Sequence, residues 1–349
     1  DSKKPEKESF SLDKEYQDKE SGMFFKEEPT VSVKYVDGNG TGISKYTLYT
    51  YNGSKYTEVS SNTTGKFKLS GGEYFIEAED GIGNTSGKIS IKDLAGSKSN
   101  AIVVDSGKIK IDFNRPEGDL NGWFANDVTY SGKITSGKSG IAKAELYIND
   151  KLVDTKGSET SNVVSADLSG STKGIEPKDG YKYEVRVSVT DNAGNSSSWS
   201  DTIYVDKDSP VITESNMTGN YIFRNGKLYF KSQAKFSVKA NDTGVGVNKY
   251  YITDSKGVKT EIKNIKEFTI EDGKSSISVE DKLGNETKPV AVKDLYNLES
   301  DVFVVDNSSP TITVEKGNPI KDNWYNKDLD FKVKAKDNEG IYSSKVKVN

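Results

Sequence analysis

Three aspartates near one repeat boundary carry the side chains best suited to hold a metal ion. Asp206 and Asp208 lie in a short connecting segment, and Asp191 opens a turn after a strand-like stretch. Carboxylate oxygens are the ligands that Ca²⁺ prefers in proteins. Calcium is therefore a candidate cofactor, with Asp191, Asp206 and Asp208 as its candidate ligands. The alternative is that these aspartates only cap turns, since the chain has no D-x-D-x-D-G loop and Ser308 replaces Asp208 at the next boundary.

Two aromatic pairs offer rings on which a sugar could stack. They are Trp123-Phe124 and Trp324-Tyr325, which stand 201 positions apart. Because a repeat retains what its fold needs, the recurrence favours a packing role for all four rings over a ligand-binding role. The sequence does not identify a ligand.

The composition removes most catalytic chemistry. The 349 residues include no cysteine and no histidine, which excludes thiol nucleophiles, Cys/His zinc sites and His-dependent triads. Two carboxylates suffice for glycoside hydrolysis, but the acids of this chain are scattered over strand faces and turns. We predict that the chain is not an enzyme.

Charge and hydropathy exclude two classes of partner. With 49 basic and 53 acidic side chains, the formal net charge is −4, so the chain lacks the basic face that nucleic-acid binding requires. The mean hydropathy is −0.69, and no apolar run approaches the ~18 residues of a membrane span. We expect no nucleic-acid partner and no membrane insertion of this segment.

The elements that must position these side chains repeat along the sequence. Strand-like stretches end in Val-Asp at Asp105, Asp206 and Asp306, and Asp-x-x-Gly-Asn turns begin at Asp80, Asp191 and Asp281. Finer signatures alternate, because Lys92-Asp93-Leu94 returns as Lys293-Asp294-Leu295 but has no counterpart in the repeat between them. The sequence therefore predicts two alternating domain types, A and B.

We draw the domains at these boundaries. Residues 1–8 form a linker, 9–105 a type A domain, 106–206 a type B domain, 207–306 a second type A domain, and 307–349 an incomplete type B domain. Because the last interval holds less than half a repeat, we expect the chain to be part of a longer parent. We also expect that interval to have an apolar face without a second sheet.

Alternating polar and apolar side chains predict strands in every repeat. Thr30–Val36 and Tyr183–Val189 place their apolar residues on one face, and Gly, Asn and Asp clusters separate such runs at the spacing typical of antiparallel sandwiches. Helix is expected only as short turns, such as one near Lys92. The prediction is an all-β fold of tandem immunoglobulin-like β-sandwich domains, which short Ser-Pro linkers join into an extended array.

These segments together resemble the tandem bacterial Ig-like repeats of Gram-positive cell-surface and adhesin proteins. The resemblance covers nearly the whole chain and rests on Val-Asp-x-x-Ser-Pro, Trp-(Phe/Tyr)-x-x-Asp-(Val/Leu) and Asp-Asn-Ala-Gly-Asn. It implies a secreted, cell-wall-associated protein that acts as a non-catalytic stalk or adhesin at the bacterial cell surface, with a host or matrix protein or a glycan as partner. Two alternatives stay open: a glycan-binding or accessory region of a large extracellular glycosidase, and an S-layer or phage tail component.

Overall fold

Strands make up nearly all of the regular structure. The computed structural model describes residues 2–322, 324–341 and 343–347. The chain divides into two compact units, one ending at Val205 and the other beginning at Asp206. The helices of the described ranges are single short turns, as predicted, and none has the length and apolarity to cross a membrane.

The first sandwich occupies the N-terminal half of unit 1 and has three sheets, ordered β1-β4-β7, β10-β3-β2 and β6-β5-β8-β9. Its elements are β1 (Glu6–Leu12), β2 (Gln17–Lys19), β3 (Gly22–Phe25), β4 (Thr30–Val36), β5 (Ile43–Tyr51), β6 (Tyr56–Asn62), β7 (Lys66–Lys68), β8 (Tyr74–Asp80), β9 (Ile89–Ser90), α1 (Ile91–Ala95) and β10 (Ile102–Val104). Strand β1 begins inside the segment predicted as a linker, because residues 6–8 already lie along β4.

Local sequence explains both the strands and the short helix. Along β4, Val31, Val33 and Tyr35 are buried while the residues between them face outward, which is the period of a half-buried strand. Helix α1 starts where the Ser90 side chain accepts a hydrogen bond from the Asp93 N–H, the bond typical of a helix N-cap. The first sandwich thus encloses one core of its own.

The second sandwich completes unit 1 with two sheets, ordered β11-β13-β16 and β12-β18-β17-β14-β15. Its strands are β11 (Lys110–Phe113), β12 (Trp123–Phe124), β13 (Thr129–Thr135), β14 (Ile141–Ile148), β15 (Lys151–Lys156), β16 (Ser165–Ser171), β17 (Lys182–Asp191) and β18 (Ser196–Val205). Tyr130, Leu146 and Ile203 are fully or almost fully buried between the sheets.

The third sandwich opens unit 2 and repeats the plan of the first, including a short helix and a parallel pair at the end of the domain. Its elements are β19 (Val211–Thr218), β20 (Tyr221–Arg224), β21 (Lys227–Phe230), β22 (Lys235–Asn241), β23 (Val247–Thr253), β24 (Lys259–Glu261), β25 (Ser276–Asp281), β26 (Val290–Ala291), α2 (Val292–Leu295) and β27 (Phe303–Val305). The sheets are ordered β19-β22, β20-β21-β27 and β24-β23-β25-β26.

After the third sandwich the described residues contain one antiparallel pair, β28 (Thr311–Lys316) with β29 (Phe331–Lys336). Both strands are exposed along their whole length. Ile312, Val314 and Phe331 are 67%, 56% and 54% exposed, so the apolar face expected to lack a second sheet is uncovered in this part of the structure.

Candidate metal centre and domain junctions

The Asp-x-x-Gly-Asn turns are closed by their first and last side chains. In unit 2, Oδ1 of Asp281 accepts the N–H groups of Leu283 and Asn285, each at 2.8 Å, and its Oδ2 accepts the Asn285 side-chain amide at 2.8 Å. Gly284 has a φ of 88°, which favours glycine because other residues have a Cβ. The aspartate is thus a turn cap whose charge meets three N–H donors.

In the second and third turns the asparagine also holds the aspartate that precedes its domain. In unit 1, the Asn195 side-chain amide donates to the backbone carbonyl of Asp105 at 2.9 Å. The backbone N–H of Asp105 donates to the carbonyl of Phe25 in the first sandwich at 2.8 Å. In unit 2, Asn285 holds the carbonyl of Asp206 at 2.9 Å. Asp105 is therefore bonded through its backbone to two successive sandwiches.

The Asp105 carboxylate is held by hydroxyl and amide donors. Its Oδ2 accepts the backbone N–H and the hydroxyl of Ser139 at 2.7 and 2.6 Å, and its Oδ1 accepts the Gly107 N–H at 2.9 Å. Burial acts to raise the pKa of Asp105, but the bonds from Ser139 and Gly107 outweigh it and place that pKa below its ordinary value. The Asp105 carboxylate is therefore ionised at neutral pH and accepts hydrogen bonds from three donor groups.

The corresponding residue of unit 2, Asp206, lies among carboxylates. One oxygen each of Asp206, Asp242 and Asp281 lies within 4.8 Å of the other two. Asp206 and Asp281 are fully buried, and Asp242 is half-buried. We call these three residues the acidic triad. In the described part of the chain it is the one group of three carboxylates close enough to share a metal ion.

Two backbone N–H groups donate to the Asp206 carboxylate of the triad. Asp206 accepts the N–H groups of Val245 at 2.9 Å and of Asp208 at 3.1 Å. Gly244 leaves room for this carboxylate, since a Cβ there would lie 1.7 Å from Oδ2 of Asp206. Burial, followed by repulsion from Asp242 and Asp281, raises the pKa of Asp206 above its ordinary value. The shift is opposite to that of Asp105, although the two residues hold the same place in successive repeats.

The structure gives different positions to the three aspartates predicted from the sequence. Asp206 belongs to the acidic triad. Asp208 donates its backbone N–H to Asp206, and Asp191 caps a turn in unit 1, where it accepts the N–H and side-chain amide of Asn195. The triad is completed instead by Asp242 and Asp281, and the calcium set drawn from the sequence stays a prediction.

Sequence reasoning missed Asp242, although the repeats contain a signal for it. Asp242 is the first residue after β22, and Asp37, Ser136 and Asp337 are the first residues after β4, β13 and β29. Three of the four positions are aspartate. The Asp242 carboxylate meets Asp206 only in the folded domain, so a search of the connecting segments alone does not find it.

The two aromatic pairs have different surroundings. Trp123 stacks on Tyr204 with 4.9 Å between ring centroids and an interplanar angle of 26°, and Phe124 is buried in the second core. Trp324 is 76% exposed, and Tyr325 is half-buried. The first pair therefore packs against its own sandwich, whereas the first ring of the second pair is open to solvent.

No protein-family model and no curated protein sequence matches the chain. A solved structure of a Ca²⁺-stabilized adhesin that helps an Antarctic bacterium reach out and bind ice is 16% identical over 92% of this chain and 79% of that chain, with a TM-score of 0.33. A 1.5-MDa bacterial ice-binding adhesin is 15% identical over 81% and 96%, with a TM-score of 0.30. Fibronectin(III)-like modules of Clostridium thermocellum CbhA are 16% identical over 56% and 92%, with a TM-score of 0.25.

Likenesses of this size concern the fold alone. The fold itself follows from the strands, sheets and separate cores described above: the protein is all-β and consists of tandem immunoglobulin-like β-sandwich domains.

Proposed function

We propose that the chain is a non-catalytic repeat region of a bacterial surface protein, in which rigidly joined sandwiches form a stalk that carries an adhesive function outside the cell. The observation that carries this proposal is the junction at Asp105. Its N–H bonds to one sandwich, while its carbonyl and carboxylate bond to the next. A single residue fixed to both neighbours leaves little freedom for bending.

Calcium is the proposed cofactor of the acidic triad. Up to three negative charges meet there, and two of the three carboxylates are withdrawn from water. Ca²⁺ takes oxygen ligands and tolerates irregular geometry, so carboxylates of the triad fit it better than they fit a transition metal that prefers nitrogen or sulfur. An ion would fix Asp206, the residue that follows Val205, onto the third sandwich.

Small-angle X-ray scattering of the chain in Ca²⁺ and in EDTA tests the stalk. A compact protein of 349 residues has a radius of gyration of about 20 Å. We expect a value well above this in Ca²⁺, with the cross-section of a single sandwich, and a more flexible particle in EDTA. A radius near 20 Å in both buffers would contradict the stalk, whereas a long particle indifferent to EDTA would retain the stalk and remove calcium from it.

A further inference from the structure

Four aromatic rings cluster on the outer face of one sheet of the first sandwich. Tyr49 and Tyr51 lie on the outer face of β5, opposite its core-facing residues. Tyr56 lies on the edge strand β6, and Phe75 lies on β8. The ring centroids are 4.6 Å apart for Tyr51 and Tyr56, 5.0 Å for Tyr56 and Phe75, and 6.4 Å for Tyr49 and Tyr56. We call these four residues the aromatic patch.

The patch is accessible although its rings pack on one another. Leu48 and Ile76, the neighbours of Tyr49 and Phe75 along their strands, point into the core and are at most 1% exposed. The patch rings therefore point to the opposite face. Tyr56 is 38% exposed, and the other three rings are half-buried. Solvent thus reaches a continuous aromatic surface at the edge of the sheet.

The polar groups that border this surface include an ion pair of Lys88 with Glu77 and the Glu58 carboxylate, which acts on the Tyr49 hydroxyl. Glu77 follows Phe75 on the same face of β8 and accepts the Tyr49 hydroxyl and the Lys88 ammonium, each at 3.1 Å. The Lys88 ammonium lies 4.4 Å from the centroid of the Tyr49 ring. The charges of Glu77 and Lys88 compensate each other. The Glu77 carboxylate, the Tyr49 hydroxyl and the Lys88 ammonium can each form further hydrogen bonds.

The third sandwich shows that the fold does not need these rings. Tyr49 lies opposite Phe75 in the β5–β8 pair, and Thr253 lies opposite Ser276 in the corresponding β23–β25 pair. No aromatic residue occurs between Thr253 and Lys259, the interval that corresponds to Tyr49–Glu58. The inward-facing residues, in contrast, stay apolar: Leu48 and Ile76 are replaced by Ile252 and Ile277. The patch is therefore an addition to the repeat.

We propose that the aromatic patch binds a neutral polysaccharide. The C–H face of a sugar ring packs on an aromatic ring, and its hydroxyls pair with polar groups at the border of such a surface. The mutual compensation of Lys88 and Glu77 favours an uncharged ligand, because a charged polymer would bring a charge that the border does not match. This assignment rests on the proposed adhesive function and names the ligand class of its first domain.

Affinity electrophoresis of the intact chain in native gels tests the assignment. The gels contain hydroxyethylcellulose, galactomannan or dextran as neutral probes and polygalacturonate as a charged one. We expect at least one neutral polymer to slow the protein and the charged one to have no effect. Absence of retardation by all three neutral polymers, or retardation only by polygalacturonate, would overturn the proposal.

Variants separate stacking from folding. The substitutions Tyr51→Ser and Tyr56→Thr should each reduce the retardation. The dissociation constant for the polymer, calculated from the retardation, should rise at least tenfold. Tyr147→Thr is the matched control, since Tyr147 is a half-buried outward tyrosine of β14 in the second sandwich, and it should retain full binding. The urea midpoint of each variant is measured alongside. If the control loses as much binding as the patch variants, or if both patch variants retain binding, the aromatic patch is not the binding site. Neither result affects the particle length, which tests the stalk separately.

Discussion

Replacement of Asp242 by serine tests whether the acidic triad binds calcium or whether its aspartates only cap turns. The variant reproduces in unit 2 the residue found at Ser136 in unit 1, the equivalent position after β13. We expect Asp242→Ser to abolish the stabilisation of the third sandwich by Ca²⁺ and to stabilise that sandwich in EDTA.

The sign in EDTA follows from the distances. Two unit charges 4.8 Å apart, the upper limit within the triad, repel by about 3 kcal/mol at an effective dielectric constant of about 20. Asp242 takes part in two such pairs. Its substitution loses one hydrogen bond, from the Gly246 N–H, which contributes about 1 kcal/mol. The relief of repulsion therefore exceeds the loss of the hydrogen bond. Where Asp206 is protonated in the unsubstituted protein, part of the repulsion is already removed, and the gain from the substitution is smaller.

The size of the calcium effect follows from mass action. At a calcium concentration about 100 times the dissociation constant, binding to the folded state alone adds about 2.7 kcal/mol. For a domain of about 100 residues this corresponds to a rise in Tm of about 10 °C or more. Differential scanning calorimetry in Ca²⁺ and in EDTA measures both effects, because the sandwiches have separate cores and give more than one transition.

Asp208→Ser is the matched control, since Asp208 meets Asp206 through its backbone N–H and the next repeat has Ser308 in its place. This variant should retain the full calcium shift. If Asp242→Ser retains that shift, the acidic triad does not bind calcium. If Asp208→Ser loses it, the set predicted from the sequence describes the site better than the triad does.

Three further outcomes test the junctions. Ser136→Asp should lower the Tm of unit 1 in EDTA and make it calcium-dependent, as calorimetry would show. Asn195→Ala should lower the free energy of unfolding in urea by about 1 kcal/mol more than Asn84→Ala does, because Asn195 bonds Asp105 in addition to its own turn. Equal losses would contradict a stabilising role of the Asn195–Asp105 bond. Because the folded-state pKa of Asp105 is lowered, its contribution is present above the unfolded-state pKa and lost as pH falls through the folded one. The Tm of unit 1 should therefore fall in acid less steeply in Asp105→Asn, measured by circular dichroism.

The strands and turns were predictable because their causes are local. Alternation along β4 and the glycine of each Asp-x-x-Gly-Asn turn depend on residues a few positions apart. The start of β1 at Glu6 was not predictable, since the charged residues 6–8 have no apolar period and become strand by pairing with β4. Here the hydrogen bonds to β4, and not the local polar–apolar pattern, determine that residues 6–8 form a strand.

The acidic triad was only partly predictable because its members are distant in sequence. Asp242 lies 36 residues after Asp206, and Asp281 a further 39, so no spacing rule connects them before the sheets are assembled. The aromatic patch was missed for another reason. Recurrence marks residues that the fold needs, and it drew attention to Trp123 and Trp324, whereas the patch differs from the repeat that should match it.

The residue that follows β13 in the second sandwich and β22 in the third determines the surroundings of the junction aspartate. Where that position is Ser136, the junction aspartate is ionised and held by the Ser139 hydroxyl. Where it is Asp242, the junction aspartate faces further carboxylates and its pKa rises. A serine-to-aspartate difference at this position therefore adds charge without altering a strand, and we expect Ca²⁺ to stabilise the sandwich that carries the aspartate and to have no effect on the one that carries the serine.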